Sequence, residues 1–294
     1  MPALIIIAVV GLAAQLIDGG LGMGYGVISS SLLLLAGLNP AAASASVHLA
    51  EIGTTLVSGA SHWKFGNIHW PVVARIAVPG AAGAFIGAYA LSSLPADLAK
   101  PWTSGILFII GAYLLIRFSR GKTPVTTGKP PPRSTFLIPL GLVAGSVDAT
   151  GGGGWGPIAT PALLASGRLT PKKIIGSVSA SEFAVAIAAT AGFGAGSVIN
   201  GVVWPTVAAL LIGGIIAAPV AAWLVHKLPT RILGVAVGGI IIATNANTVL
   251  QALGATTAIV ITTFTILTAA WATALTVVLR TPPAPTPEPA EAAA

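Results

Sequence analysis

Apolar residues run in long stretches along this chain, and polar residues mark where the stretches end. Between punctuating Pro, Gly and basic residues, apolar segments lie at about 41–61, 71–93, 101–118, 172–195, 205–226, 230–250 and 255–279. Each is near the ~20 residues that span the hydrocarbon as a helix, so the pattern predicts seven membrane crossings. Pro79 and Pro219 fall inside two of them, where a kink is expected. Two further segments, 3–37 and 135–166, are interrupted midway. The interruptions are "IDGGLGMGYG" (17–26) and "VDATGGGGWG" (147–156), each an Asp, a glycine run, one aromatic ring and another Gly. The half-segments 3–17 and 27–37 are too short to cross alone at ~1.5 Å per residue.

These interruptions belong to an internal repeat. Asp18 aligns with Asp148, Gly22 with Gly152, Gly24 with Gly154, Tyr25 with Trp155 and Gly26 with Gly156. After a one-residue insertion, Ser46 aligns with Ser177 and Glu51 with Glu182. Trp70-Pro71 then aligns with Trp204-Pro205, Leu94-Pro95 with Leu228-Pro229, and Gly105 with Gly239. The divisions that follow are 1–118, a first repeat; 119–134, a basic, Pro-rich linker; 135–250, a second repeat; 251–280, an added helix; and 281–294, a Pro-broken tail expected to be disordered. Duplicated hydrophobic segments mark secondary transporters.

Composition agrees with the pattern. Hydrophobic residues make up 55% of the chain and charged ones 7%, against roughly 25% charged in a soluble domain. An integral membrane protein is the expected class, all-α and polytopic. The net charge of +7 reads as cytoplasmic loops rather than nucleic-acid binding. The first apolar run has no Lys or Arg before it, so it reads as part of the mature fold rather than a secretory signal. The absence of cysteine removes disulfides and thiolate metal sites.

Charge also decides between two topologies. If 3–37 and 135–166 each cross once, the basic residues divide evenly between the two sides. If each is a re-entrant hairpin, every basic residue except Lys100 falls on one side, as the positive-inside rule requires. The second arrangement places the N-terminus outside and the C-terminus in the cytoplasm. The repeats are then inverted about a pseudo-two-fold axis in the membrane plane.

Chemistry concentrates at the hairpin tips. Non-helical backbone at membrane depth must be satisfied by protein or water. Two tips entering from opposite faces would offer the amides of Gly19–Gly26 and Gly151–Gly156, free of helical bonds, to an anion. A helix N-terminus follows each tip. Gly22, Gly24, Gly26, Gly152, Gly154 and Gly156 are the candidate substrate-binding positions, with Tyr25 and Trp155 as walls. Alternatively, the glycines serve tight turns and close packing. Glu51 and Glu182 lie about ten residues into their helices, ~15 Å deep. A carboxyl there costs ~2.5–3.5 kcal/mol to insert, so function is the default, here proton coupling. His48 lies one turn before Glu51 on the same face, while the second repeat has Ser179 there. Asp18 and Asp148 precede the glycine runs and are expected to cap the next half-helix. His62, Lys64 and His69 read as a solvated cytoplasmic loop. Asn245 and Asn247 read as packing residues near a helix end. No Walker loop, HExxH or metal-spaced His cluster occurs.

"GLAAQLIDGGLGMGYG" and "GLVAGSVDATGGGGWG", with "NPAAASASVHLAE" and "TPKKIIGSVSASE", resemble the sulfite exporter TauE/SafE family of permeases over about 1–280. The resemblance implies transport of sulfite, a sulfonate or another sulfur-containing anion across a bacterial inner membrane, in either direction. The roles given to His48 and to the four-glycine run rest on the physical argument alone. The expected function is a secondary transporter of a small sulfur anion, working by alternating access between inverted repeats with proton coupling through Glu51 or Glu182 and no cofactor. An uncoupled or sodium-coupled facilitator is the alternative. An intramembrane enzyme would need His48 with Ser44 or Ser46 as its nucleophile pair, which nothing duplicated supports. The sequence leaves the oligomeric state open, a homodimer being one option.

Overall fold

A computed structural model describes residues 2–120, 129–225 and 230–281. Part of the predicted linker, the Leu228-Pro229 match and nearly all of the predicted tail lie outside the described residues. The described residues form eleven α-helices and a short 3-10 turn. In chain order the helices are α1 (Pro2–Leu21), α2 (Tyr25–Leu35), α3 (Pro40–Lys64), α4 (Trp70–Ser92), α5 (Ala96–Ser119), α6 (Ser134–Gly151), α7 (Trp155–Ser166), α8 (Pro171–Ala195), α9 (Trp204–Leu224), α10 (Thr230–Ala252) and α11 (Thr257–Arg280). The 3-10 turn, Val198–Gly201, precedes α9. Proline in the first turn starts α3, α4, α8 and α9, where its missing N–H costs no helical bond. The Asn39 side chain accepts from the Ala41 amide to cap α3. Both interrupted segments are broken as expected, at 22–24 and 152–154.

Among the described residues, seven helices are long and apolar enough to cross a membrane: α1, α4, α5, α8, α9, α10 and α11. This set corrects the prediction at two helices. Helix α1 does not stop at Ile17 but continues through Asp18, Gly19 and Gly20 to Leu21, so its length no longer excludes a crossing. Helix α3, predicted to cross at 41–61, has the length but not the apolarity. Its run of Ser, Thr, His48 and Glu51 is turned into the protein, where these side chains are buried. Helices α4 and α9 run unbroken through Pro79 and Pro219.

Close helix contacts give the relative directions. Gly11 of α1 lies on Leu210 of α9 and Gly19 lies on Ala221, so α1 and α9 run the same way. Helix α3 crosses α8 in the opposite sense, with Ser58 at Ser179 and His48 at Phe193. The 3-10 turn that leads out of α8 therefore meets the first half of α3, and α9 follows α3 from there, Leu211 at Gly53 and Gly214 at Thr54. Helices α1 and α3 thus point in one direction, and α2 between them must run back. The second half behaves alike. Gly141 and Gly145 of α6 lie on Ile76 and Ala84 of α4, and Gly80 and Gly192 pair α4 with α8 in the same direction at Val185 and Ala88. Helix α7 runs back between α6 and α8. Glycine permits these contacts: a Cβ at Gly141 would lie 2.8 Å from the Ile76 carbonyl oxygen, and small residues let membrane helices approach backbone to backbone. Helix α11 packs mainly on α10, where Trp271 Nε1 donates to the Val235 carbonyl (3.1 Å), and only its Val278 is buried.

Candidate functional site

The two hairpin turns meet. Each turns through glycines in conformations that other residues rarely adopt, Gly22 (φ 66°) and Gly24 (φ 143°) in the first, Gly152 (φ 69°) and Gly153 (φ 151°) in the second. A Cβ on Gly26 would lie 2.8 Å from the Gly153 Cα and 2.9 Å from Glu51 Oε1. A Cβ on Gly156 would lie 2.6 Å from the Gly22 carbonyl oxygen, and one on Gly153 would overlap the Val27 amide. The tips are pressed together, with no side chain between their backbones.

Hydroxyls fasten each tip to the other in a repeat-related way. Ser30 of α2 donates to the Gly152 carbonyl, and Thr160 of α7 donates to the Gly22 carbonyl at 2.6 Å. Ser30 and Thr160 stand at the same offset as Gly22 and Gly152, so the two bonds are copies. Ser44 of α3 adds a third, donating to the Ala149 carbonyl at 2.8 Å. Sequence reasoning missed Ser30 and Thr160, and named Ser44 only as half of a nucleophile pair. Extending the repeat alignment a few residues past Gly26 would have paired Ser30 with Thr160.

The tip amides differ from expectation. Gly19, Gly20 and Gly151 are helical, so only 22–24 and 152–154 leave the helices. Asp148 Oδ1 accepts from the amides of Gly154 (2.7 Å) and Trp155 (3.0 Å), and the Gly153 amide donates to the Asp148 carbonyl (2.9 Å). Those donors, expected to be free for an anion, are occupied here. In the first tip Asp18 Oδ1 receives only the Tyr25 amide, at 3.5 Å. The rings also have partners. Tyr25 OH donates to the Leu210 carbonyl (3.0 Å) and Trp155 Nε1 to the Val178 carbonyl (3.1 Å), both rings being buried.

The acids gather around the tips. Asp18, Glu51, Asp148 and Glu182 are all buried, with one imidazole, His48; among the described residues no Lys or Arg is buried. His48 Nε2 lies 3.1 Å from Asp148 Oδ2 and 3.9 Å from Glu51 Oε2. The three donor atoms lie within 4.8 Å of one another, a grouping hidden in the sequence because Asp148 comes from the other half. Neither Glu51 oxygen has a hydrogen-bond partner among the described residues. The repeat mate of His48, Ser179, instead shares a bond with Ser58 at 2.7 Å. His62, expected in a solvated loop, is buried in the last turn of α3 with Asn67 Nδ2 3.3 Å from its Nδ1; the helix runs past it to Lys64. Asn245 lies inside α10, buried, and donates to Ser31 at 2.9 Å.

An all-α polytopic membrane protein whose interior holds paired broken helices is built as a transporter is built. The profile of the sulfite exporter TauE/SafE family matches residues 7–248, and the chain belongs to that family. It is 51% identical over 280 residues, 95% of this chain and 93% of the relative, to "Probable membrane transporter protein YtnM" of Bacillus subtilis (strain 168). It is 28% identical over 221 residues, 74% of this chain and 89% of the relative, to "Probable membrane transporter protein YdhB" of the same organism. No solved structure matches the chain.

Proposed function

We propose that this membrane transporter carries a small sulfur oxoanion, sulfite or an organosulfonate, by alternating access between two inverted repeats, with a proton as the coupled ion. The family's name supports the substrate class. The observation that carries the mechanism is the exchange of tip bonds, Ser30 to Gly152 and Thr160 to Gly22. It is joined by the swapped pairing of α1 with α9 and of α6 with α4. The paired helices run the same way, and because α3 opposes α8, the repeat mates α1 and α6 oppose each other, as do α4 and α9, which an axis in the membrane plane requires. The linker side is cytoplasmic and the N-terminus outside, on the distribution of basic residues, in a bacterial inner membrane.

In the conformation described, the tips are closed on each other. Parting them opens the backbone of Gly24, Gly26, Gly154 and Gly156 to an anion, the Gly154 amide once Asp148 releases it, with Gly22 and Gly152 as the hinges and Tyr25 and Trp155 as walls. Glu51, Glu182 and His48 carry the proton, which offsets the anion's charge in a core that otherwise holds four carboxyls. Asp18 and Asp148 hold the turns. The test is uptake of labelled sulfite and of a small sulfonate into proteoliposomes, with an imposed pH gradient, an imposed sodium gradient, or neither. Uptake raised by the pH gradient alone supports the reading. Uptake that follows sodium, or neither gradient, overturns the coupling, and no uptake of either compound overturns the substrate class.

A further inference from the structure

The hydrogen-bond geometry around His48 fixes where a proton must sit. His48 Nδ1 lies 2.8 Å from the Ser44 carbonyl oxygen. A carbonyl can only accept, so Nδ1 carries a hydrogen. Nε2 then faces Asp148 Oδ2 at 3.1 Å. Two lone pairs do not hold that separation, so one proton lies between them, on the imidazole or on the carboxyl. The other oxygen of the same carboxyl receives the Gly154 and Trp155 amides. Asp148 therefore ties the turn of the second hairpin to α3 of the first half through a single proton. The first hairpin has no such tie, because Ser179 stands where His48 would be and is bonded to Ser58.

We propose that the gap between His48 and Asp148 is the binding site of the coupled proton, and that this proton latches the second tip to α3. The proposal rests on the reading of the protein as proton-coupled. The charged groups that reach His48 are Asp148 from α6 and Glu51 from α3; Asp18 of α1 and Glu182 of α8 complete the buried acids, and Phe193 of α8 covers the ring. Helices α4, α5 and α9 bring no charge to it. Glu51, buried and without a hydrogen-bond partner among the described residues, lies 3.9 Å from the same Nε2. Transfer of the proton from Nε2 to Glu51 Oε2 converts imidazolium and carboxylate into imidazole and carboxylic acid, with charge conserved. It leaves the Nε2 lone pair facing an anionic Asp148, a repulsive contact, and the latch opens.

The native chain has no cysteine, so a single thiol can report on the tip. Ala149→Cys places it in the last turn of α6, next to Asp148 and fully buried. Labelling by a membrane-permeant maleimide is normalised to Ser93→Cys, an exposed site, which removes the thiol's own pH dependence. No substrate or gradient is present. The latch predicts protection at low pH and faster normalised labelling at high pH, by roughly tenfold or more for a lost charge-assisted hydrogen bond. Two variants move in opposite directions. His48→Ala removes the donor and leaves the tip labelled at every pH. Asp148→Asn supplies an amide hydrogen to neutral Nε2 without a titrating proton, and keeps the tip protected at every pH. A purely structural bond would loosen the tip in both. Equal labelling at low and high pH in the native background, or loosening by Asp148→Asn, overturns the latch. If the Ala149→Cys chain does not fold, hydrogen exchange of the Gly154 and Trp155 amides in the same backgrounds gives the same contrast. Pulling labelling apart from uptake keeps the two claims separable: a pH-dependent latch with transport indifferent to pH gradient overturns the coupling and leaves the proton site standing.

Discussion

The two hairpin tips match in sequence but are held differently. Both turn through glycine, both present an aromatic ring, and both are crossed by a hydroxyl from the opposite half. The second is held by Asp148, which receives two short amide bonds on one oxygen and faces His48 with the other. The first has Asp18 with one amide at 3.5 Å. The halves share the first glycine of the turn and the acids; they differ in the second positive-φ glycine, Gly24 against Gly153, and in the histidine. A protein that must alternate gains from this, because two equally fastened tips have no order of release. A fixed tip and a loose one do.

The largest expected effects come from removing the room the tips share. At Gly153 the positive φ and the Val27 amide both exclude a Cβ. Gly153→Ala should cost more than about 3 kcal/mol from overlap and backbone strain, and yield little monodisperse protein in detergent. At Gly24 the nearest atom to a Cβ is a side-chain carbon, Ile17 Cγ2 at 3.2 Å, so Gly24→Ala should fold at a smaller cost. Size-exclusion profiles and melting temperatures compare the two. A well-folded Gly153→Ala would mean that the tips are apart in the resting protein.

The acids come next. Glu51 has His48 one turn away and no hydrogen-bond partner among the described residues, whereas Glu182 has Ser179 in the corresponding place. Glu51→Gln should abolish pH-gradient-driven uptake while some counterflow exchange remains. Glu182→Gln should be milder. Both activities are read in the same liposomes, and equal loss of driven uptake in the two variants would remove the distinction between the halves.

Smaller still is the difference between the capping aspartates in stability. Asp148→Ala strands two amides and His48 and should cost about 2–4 kcal/mol, a cap plus charge-assisted hydrogen bonds. Asp18→Ala gives up one long contact and should cost about 1 kcal/mol. Thermal unfolding in detergent ranks them, and a reversed order would show that the first tip is the firmly held one.

Much of this was legible before any coordinates. The breaks at the two glycine runs, the helix starts at Pro40, Pro171, Trp70-Pro71 and Trp204-Pro205, and the burial of Glu51 and Glu182 follow from local pattern and turn chemistry. Two things were not. Helix α1 overran its predicted end because Asp18-Gly19-Gly20 looks like a turn but is held helical by packing of Gly19 on Ala221; tertiary contact overrode local propensity. The partnership of His48 with Asp148 joins residues a hundred positions apart, so a search along one helix face found only Glu51. The occupied amides, by contrast, were within reach of local reading: Gly154 and Trp155 lie only six and seven residues past Asp148, the residue expected to cap that turn.

The finest test of the comparison is the pair of bonds that should not differ. Ser30 and Thr160 donate to equivalent carbonyls from equivalent helices, and neither touches the charged cluster through that bond. Each is a neutral hydroxyl-to-carbonyl bond, expected to contribute about 1 kcal/mol. Ser30→Ala and Thr160→Val keep the side-chain size close and remove only the donor. The two variants should lower the melting temperature by similar small amounts. Both should leave the pH dependence of tip labelling as it is in the native chain, since the latch lies elsewhere. The double variant is informative beyond its parts. If the tips are closed together by one two-fold-related contact, breaking both bonds should cost more than the sum of the single changes, because the second tip can part only after the first is free. Simple additivity would mean that each hydroxyl steadies its own turn and that the tips move independently. A large effect from Ser30→Ala alone would make the hydroxyls, like the charges, a point where the halves have diverged.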